Sequence, residues 1–260
     1  MAKTLYYEQT EHAAAVPMTD AEWTARVKLA AAYRIVDHLG WAELIFNHLT
    51  LRVPGPQPSF LINPFGLHYS EITASNLLLI DAGGNALRPG RHPVNRAGFV
   101  IHSAIHQHCE AAHCIMHIHT TAGMAVACKE AGLSYDNFYA AQLWGDVAYH
   151  DYEGVTTRTD EQDRLVQSLG ERHCLILRNH GLLACGETLP LAFVRLWTLQ
   201  RACEIQLAQA ALGPAIPVPE AVAKKTTHDS FQFDAKFGAG QDVFGALVRQ
   251  VERLDPSYKN

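Results

Sequence analysis

The chain has 260 residues, 48% of them apolar and 18% charged, and a net charge of −5 from 21 basic and 26 acidic side chains. That composition buries a core and excludes a disordered chain, and an acidic balance without a basic patch argues against nucleic acid as a partner. No apolar run approaches the roughly 18 residues of a membrane span, so a cytoplasmic protein that engages no membrane is expected.

Residues 1–18 read as a loose leader without the apolar stretch of a secretory signal. Thr19 and Glu22 have capping-box spacing and open a helix through Val27, Ile35 and His38 to a stop at Gly40. His48–Val53 alternates polar and apolar and ends at Pro54. Phe60–Asn63 and Leu77–Ile80 follow as short strands, the second leading into a hairpin signal at Asp81–Asn85. These pieces predict an antiparallel meander. Val94 to about His108 reads as a helix, His113–His119 as a strand and Thr121–Ala131 as a helix. Asp146–Tyr152 reads as a strand and Asp160–Gly170 as a polar helix. Cys174–Leu177 and Leu182–Cys185 are strands around an Arg-Asn-His-Gly turn, and Leu189–Leu212 is a long helix. A domain over 19–213 is expected, with a mixed or antiparallel central sheet and helices on both faces. The Pro-punctuated segment and polar tail, 214–260, are expected to fray or to pack on the domain or a neighbouring subunit. The six cysteines are scattered in apolar segments and read as reduced core thiols.

The count of 15 histidines exceeds the 10 phenylalanines, and their positions carry the chemistry. His117 and His119 lie at i and i+2, so a strand projects both imidazoles from one face toward one ion. His180 sits in a tight turn between apolar strands, where Gly181 allows close backbone approach. Three histidines with open coordination positions form the usual catalytic arrangement for a divalent metal. His102 and His106 lie at i and i+4 on a helix, but Ser103 stands where a zincin needs its glutamate. They read as helix-face histidines, with His102 as an outer partner of the metal site.

Four stretches, taken in order, resemble the class II aldolase/adducin family: Asn47–Arg52, Leu61–Leu67, His113–Thr120, and Asn179-His180-Gly181 with the Leu-Leu-Ala-Cys-Gly that follows. The resemblance implies a three-layer α/β/α sandwich around a largely antiparallel sheet, one divalent ion per subunit on His117, His119 and His180, and a homotetramer with sites at subunit boundaries. Zinc is the expected ion, with manganese or iron as alternatives. The sugar-phosphate aldolases of that family carry Ser-Ser-Glu at the start of the helix before His-x-His. Here the segment is Asn95-Arg96-Ala97-Gly98, and Gly98 takes the place of the acid/base glutamate. Candidates to replace that glutamate are His48, His68, Tyr135 and Tyr139. His48 and Asn63 also stand in the substrate-holding loops. Arg96, near a helix N-terminus, is the candidate grip on a substrate carboxylate.

The expected function is a metal-dependent lyase, cleaving an aldol or decarboxylating a small oxo- or hydroxy-acid rather than a sugar phosphate. A non-enzymatic, adducin-like oligomerisation module is the alternative, and an iron-dependent oxygenase a third reading. The loops within His48–Gly66 and the segment after Gly213 are expected to expose apolar residues to a neighbouring copy.

Overall fold

Helix α1 (Asp20–His38) of the computed structural model, which describes residues 17–55, 57–156, 158–230 and 238–260, begins at Thr19, whose hydroxyl accepts from the Glu22 amide at 3.1 Å. The rest of the expected capping box does not close. Glu22 is buried, and its carboxylate accepts from Arg26 Nε at 2.7 Å and Arg88 Nη2 at 2.6 Å. A buried carboxylate needs cationic partners more than a helix end needs a second cap.

Seven strands follow: β1 (His48–Val53), β2 (Ser59–Ile62), β3 (Leu78–Asp81), β4 (Cys114–Ile118), β5 (Val147–His150), β6 (Cys174–Leu177) and β7 (Gly181–Gly186). They form one sheet in the order β3-β2-β1-β4-β7-β6-β5, antiparallel except for the β5–β6 pair. The remaining helices are α2 (Arg96–His108), α3 (Thr121–Ala127), α4 (Phe138–Ala141), α5 (Gln162–Leu169), α6 (Leu189–Gln209), α7 (Glu220–Ser230) and α8 (Gln241–Leu254).

The pleat decides which side chains meet which helices. Leu49, Leu51, Cys114, Met116 and Leu182 pack in the core beneath α1, α3 and α6. Ile115, Leu183 and Cys185 pack on the opposite face with Ile101 and Ile105 of α2 and Leu165 and Leu169 of α5. The result is three layers in a single domain, the expected α/β/α sandwich. No described helix is long and apolar enough to cross a membrane.

Three local expectations change. The hairpin at Asp81–Asn85 shrinks to one bridge, Ile80 to Ala86. Asp81 Oδ1 takes the amides of Gly83 and Asn85 at 2.8 and 2.9 Å, and Pro89 denies the returning segment a ladder donor. The helix expected to Ala131 stops at Ala127, and Cys128, its cap, is exposed; the six thiols are unpaired but not all in the core. The stretch His48–Gly66 is largely buried in its own chain, so near these two segments the exposed apolar side chains include Leu44 and Phe46 before it and Leu212 and Ile216 near Gly213.

The tail is ordered against its own domain where the structure describes it. Phe244, Leu247, Val248 and Val251 recur at helical spacing on α8 and pack in the core shared with α1 and α6. Arg34 Nη1 meets Asp255 at 2.7 Å, and the Ala74 amide donates to the Tyr258 carbonyl at 2.8 Å. Thr227 of α7 donates to the Ala141 carbonyl of α4 at 2.9 Å. Residues 1–16 of the expected leader lie outside the described residues.

Candidate metal centre

Strand β4 places His117 on its α2-facing side, and β7 supports it from below: His117 Nδ1 donates to the Leu182 carbonyl at 2.9 Å. That bond assigns the proton to Nδ1 and leaves the Nε2 lone pair free for an ion. His119 lies just past the strand. Its amide donates to Asn47 Oδ1 at 3.1 Å, and Asn47 in turn donates to the Trp41 carbonyl at 2.7 Å. The third ring comes from the turn between β6 and β7. Asn179 adopts φ 55°, within reach of an asparagine, and returns the chain so that His180 faces the other two. A methyl group on Gly181 would lie 2.5 Å from the Ile118 carbonyl and 2.9 Å from His119 Cδ2, so the turn can approach the site only as glycine.

His117 Nε2 lies 2.6 Å from His119 Nε2 and 3.3 Å from His180 Nε2, and the ring centroids are 4.5–4.8 Å apart. Two ligands bound to zinc at about 2.0–2.1 Å in a tetrahedral shell sit about 3.3 Å apart. Three lone pairs converging on one point, with no acid among them, fit a divalent cation. It is the one such cluster of metal-ligating side chains among the described residues. Burial holds all three rings neutral: His119 and His180 are pushed down to about 4, and His117 well below its ordinary value. Desolvation is the main cause in each.

The other candidates separate cleanly. His48 pairs across the strands with His117, and the two rings lie 4.9 Å apart. Asn63, just past β2, is buried and turns toward α1, its Oδ1 2.9 Å from the Tyr33 hydroxyl and its Nδ2 without a hydrogen bond. His102 reaches the trio only through His48, with its Nε2 2.9 Å from His48 Nδ1. Arg96 is exposed on the first turn of α2, two residues before Gly98. His68 instead caps the short turn Tyr69–Glu71, with its Nδ1 2.8 Å from Ser70 Oγ. Tyr135 packs on Trp144 at 4.8 Å and Tyr139 on Trp197 at 5.3 Å. Within their own chain these last three make no contact with the trio among the described residues.

Gly98 and His48 form one unit. A methyl group on Gly98 would meet Cγ and Cδ2 of His48 at 2.8 Å, so the His48 ring fills the space a side chain at 98 would enter. Gly98→Ala should therefore destabilise the fold by about 1–3 kcal/mol through overpacking, although alanine is the better helix former by about 1 kcal/mol. A urea-unfolding double-mutant cycle should find the cost largely relieved in His48→Ala. Additive effects would show that the two do not interfere.

Thr50 and Asn47, which motif reading covered without a role, and His106, read there only as a helix-face histidine, belong to the surroundings of the site. The signal was available for the first: His48, Thr50 and Arg52 alternate with Leu49, Leu51 and Val53, which places Thr50 on the face of His117.

The Class II Aldolase and Adducin N-terminal domain model matches residues 27–207. An aldolase II superfamily protein from Pseudomonas syringae has 40% sequence identity and a TM-score of 0.87, covering 94% of this chain and 98% of its own. The L-fuculose 1-phosphate aldolase from Glaciozyma antarctica has 29% identity and a TM-score of 0.80, covering 94% and 97%. Alpha-adducin of Mus musculus is 47% identical over 185 residues, 70% of this chain but 25% of the adducin.

Proposed function

The chain belongs to the class II aldolase and adducin family, and from that membership we propose a metal-dependent lyase acting on a small oxo- or hydroxy-acid. The observation that carries this reading is the convergence of three neutral imidazole nitrogens, one buried and two half-buried. His117, His119 and His180 would hold one divalent ion, zinc in our reading. Such an ion supplies a Lewis acid that stabilises charge on a substrate oxygen, which aldol cleavage and decarboxylation both require.

The chain's own residues do the rest. Leu182 and Asn47 hold His117 and His119 in place. His48 occupies the space beside Gly98 and is our candidate for the proton transfer that glycine cannot perform. Arg96 is the candidate carboxylate grip. The wider cleft that begins at Thr120, about 350 Å³, is lined by Glu43 and Glu204 and repels an anion. The first turn of α2, with Arg96 and the positive end of the helix dipole, attracts one. Arg96→Ala should raise KM for an acid substrate about tenfold or more and leave metal content unchanged. Arg96→Lys should recover part of the loss, and an unaltered KM would remove the residue from the site.

The screen that tests the reading measures carbon–carbon cleavage in zinc-, manganese- and iron-loaded protein against a panel of oxo- and hydroxy-acids. L-fuculose 1-phosphate belongs in the panel, because the Glaciozyma antarctica relative is named for it. Turnover of an acid supports the lyase. Protein that binds no metal and turns over nothing supports the second reading, an adducin-like self-association module, which the identity to alpha-adducin favours. Both readings include a symmetric homo-oligomer, a tetramer by family habit, and exposed Leu212, Ile216 and Phe138 are apolar surface available to it.

A further inference from the structure

Behind the metal centre, four side chains between β1 and α2 form one continuous hydrogen-bonded chain. His106 Nδ1 lies 2.8 Å from the Ala112 carbonyl, and His106 Nε2 lies 2.8 Å from Thr50 Oγ1. Thr50 Oγ1 lies 2.7 Å from His102 Nδ1, and His102 Nε2 lies 2.9 Å from His48 Nδ1. All four residues are buried, with His106 the most exposed at 4%.

One end of this chain is a backbone carbonyl, which can only accept. His106 must therefore carry its proton on Nδ1, and its Nε2 must accept. Thr50 has one hydroxyl proton and gives it to that nitrogen, so toward His102 its oxygen accepts. His102 then carries its proton on Nδ1, its Nε2 is bare, and the proton between the last two rings sits on His48 Nδ1. Reversing any link would set two lone pairs or two protons against each other, or require a second proton on a buried ring with no carboxylate in the chain to hold it. Burial independently keeps His102 and His106 neutral, the latter down to about 3. With one proton per ring, the last free position is the lone pair on His48 Nε2. That nitrogen makes no hydrogen bond among the described residues, and its ring faces His117.

We infer that Thr50 and His106 are positioning residues that hold His48 as its Nδ1–H tautomer, so that Nε2 presents a hydrogen-bond acceptor to a hydroxyl group of the substrate. The relay sets the polarity of a contact at His48 from His102, 54 residues away in sequence. A bare imidazole nitrogen welcomes an O–H donor and repels a carbonyl oxygen, so of the two acid classes the site is built for the hydroxy-acid. That substrate statement rests on the lyase reading; the tautomer does not.

Neutron diffraction on deuterium-exchanged crystals at neutral pD tests the tautomer directly. Deuterium is expected on His106 Nδ1, Thr50 Oγ1, His102 Nδ1 and His48 Nδ1, and none on His48 Nε2. Deuterium on His48 Nε2 overturns the inference whether or not the protein is an enzyme. The substrate arm compares lactate with pyruvate binding to zinc-loaded protein by calorimetry. Lactate should bind about tenfold tighter, the value of one good hydrogen bond. Thr50→Val should abolish the preference and Thr50→Ser restore it, with zinc content constant in all three. Equal binding of the two acids, or a preference that survives Thr50→Val in folded protein, rejects the hydroxyl contact. Failure to take up zinc defeats the lyase reading and leaves the neutron result standing.

Discussion

His117→Ala is expected to abolish stoichiometric zinc binding, from about one ion per chain to none detectable by elemental analysis after loading and dialysis. Structural four-ligand zinc sites bind with about 10–16 kcal/mol, so one ligand is worth roughly 2.5–4 kcal/mol, or about a hundredfold to a thousandfold in affinity. His117 is the central ring, within 3.3 Å of both other ligand nitrogens and anchored to Leu182. Its removal therefore takes a ligand and loosens the relation of the other two. His102→Gln, which touches the centre only through His48, should retain the ion. Retention of one zinc per chain by His117→Ala would place the metal elsewhere. Loss in both variants would point to a general collapse of the α2 face.

The second large effect is acid lability of the metal-free protein. In an unfolded chain histidine takes its proton near pH 6.5. In the folded chain His119 and His180 resist until about 4 and His106 until about 3, and His48, His102 and His117 are held well below the ordinary value. Burial is the leading cause throughout. Between pH 6.5 and 4 the unfolded chain thus binds protons that the folded chain refuses, so falling pH favours unfolding. The stability is full above about pH 6.5 and drains away toward pH 4. A tenfold difference in proton affinity is about 1.4 kcal/mol, so His119 and His180, each held from about 6.5 down to about 4, together account for about 7 kcal/mol. That is comparable with the whole stability of a typical domain, about 5–15 kcal/mol. Tryptophan fluorescence against pH should show cooperative unfolding between about 5 and 4. Saturating zinc should move the midpoint lower, because a bound ion keeps three rings neutral and stabilises only the folded state. A metal-free protein that stays native at pH 3.5 would contradict the burial of these rings as neutral bases.

Much of the architecture was legible in the amino-acid order because it follows from local rules. Period-2 alternation marked β1, the Arg-Asn-His-Gly turn marked the β6–β7 join, and i, i+2 spacing put His117 and His119 on one side. The ligand trio could be named for the same reason, since two ligands share a strand end and the third occupies a turn whose glycine requirement is written in the sequence. Family membership was legible in four short motifs. The tail was left open between fraying, its own domain and a neighbour because its apolar residues are sparse, and only the groove between α1 and α6 gives Phe244 and Val251 something to cover.

The tertiary structure alone decided which of the four acid/base candidates stands beside the histidine trio. His48, His68, Tyr135 and Tyr139 were equivalent in the linear chain, because contact between residues on different elements depends on sheet order and register. The β1–β4 pairing sets His48 opposite His117 and leaves His68 to cap a turn. The same packing turned Gly98 from a missing carboxylate into the space for an imidazole. It also joined Thr50 to two histidines of α2. No local pattern encodes that chain of hydrogen bonds, because its members meet only when a buried helix face and a buried strand face must satisfy each other's polar groups.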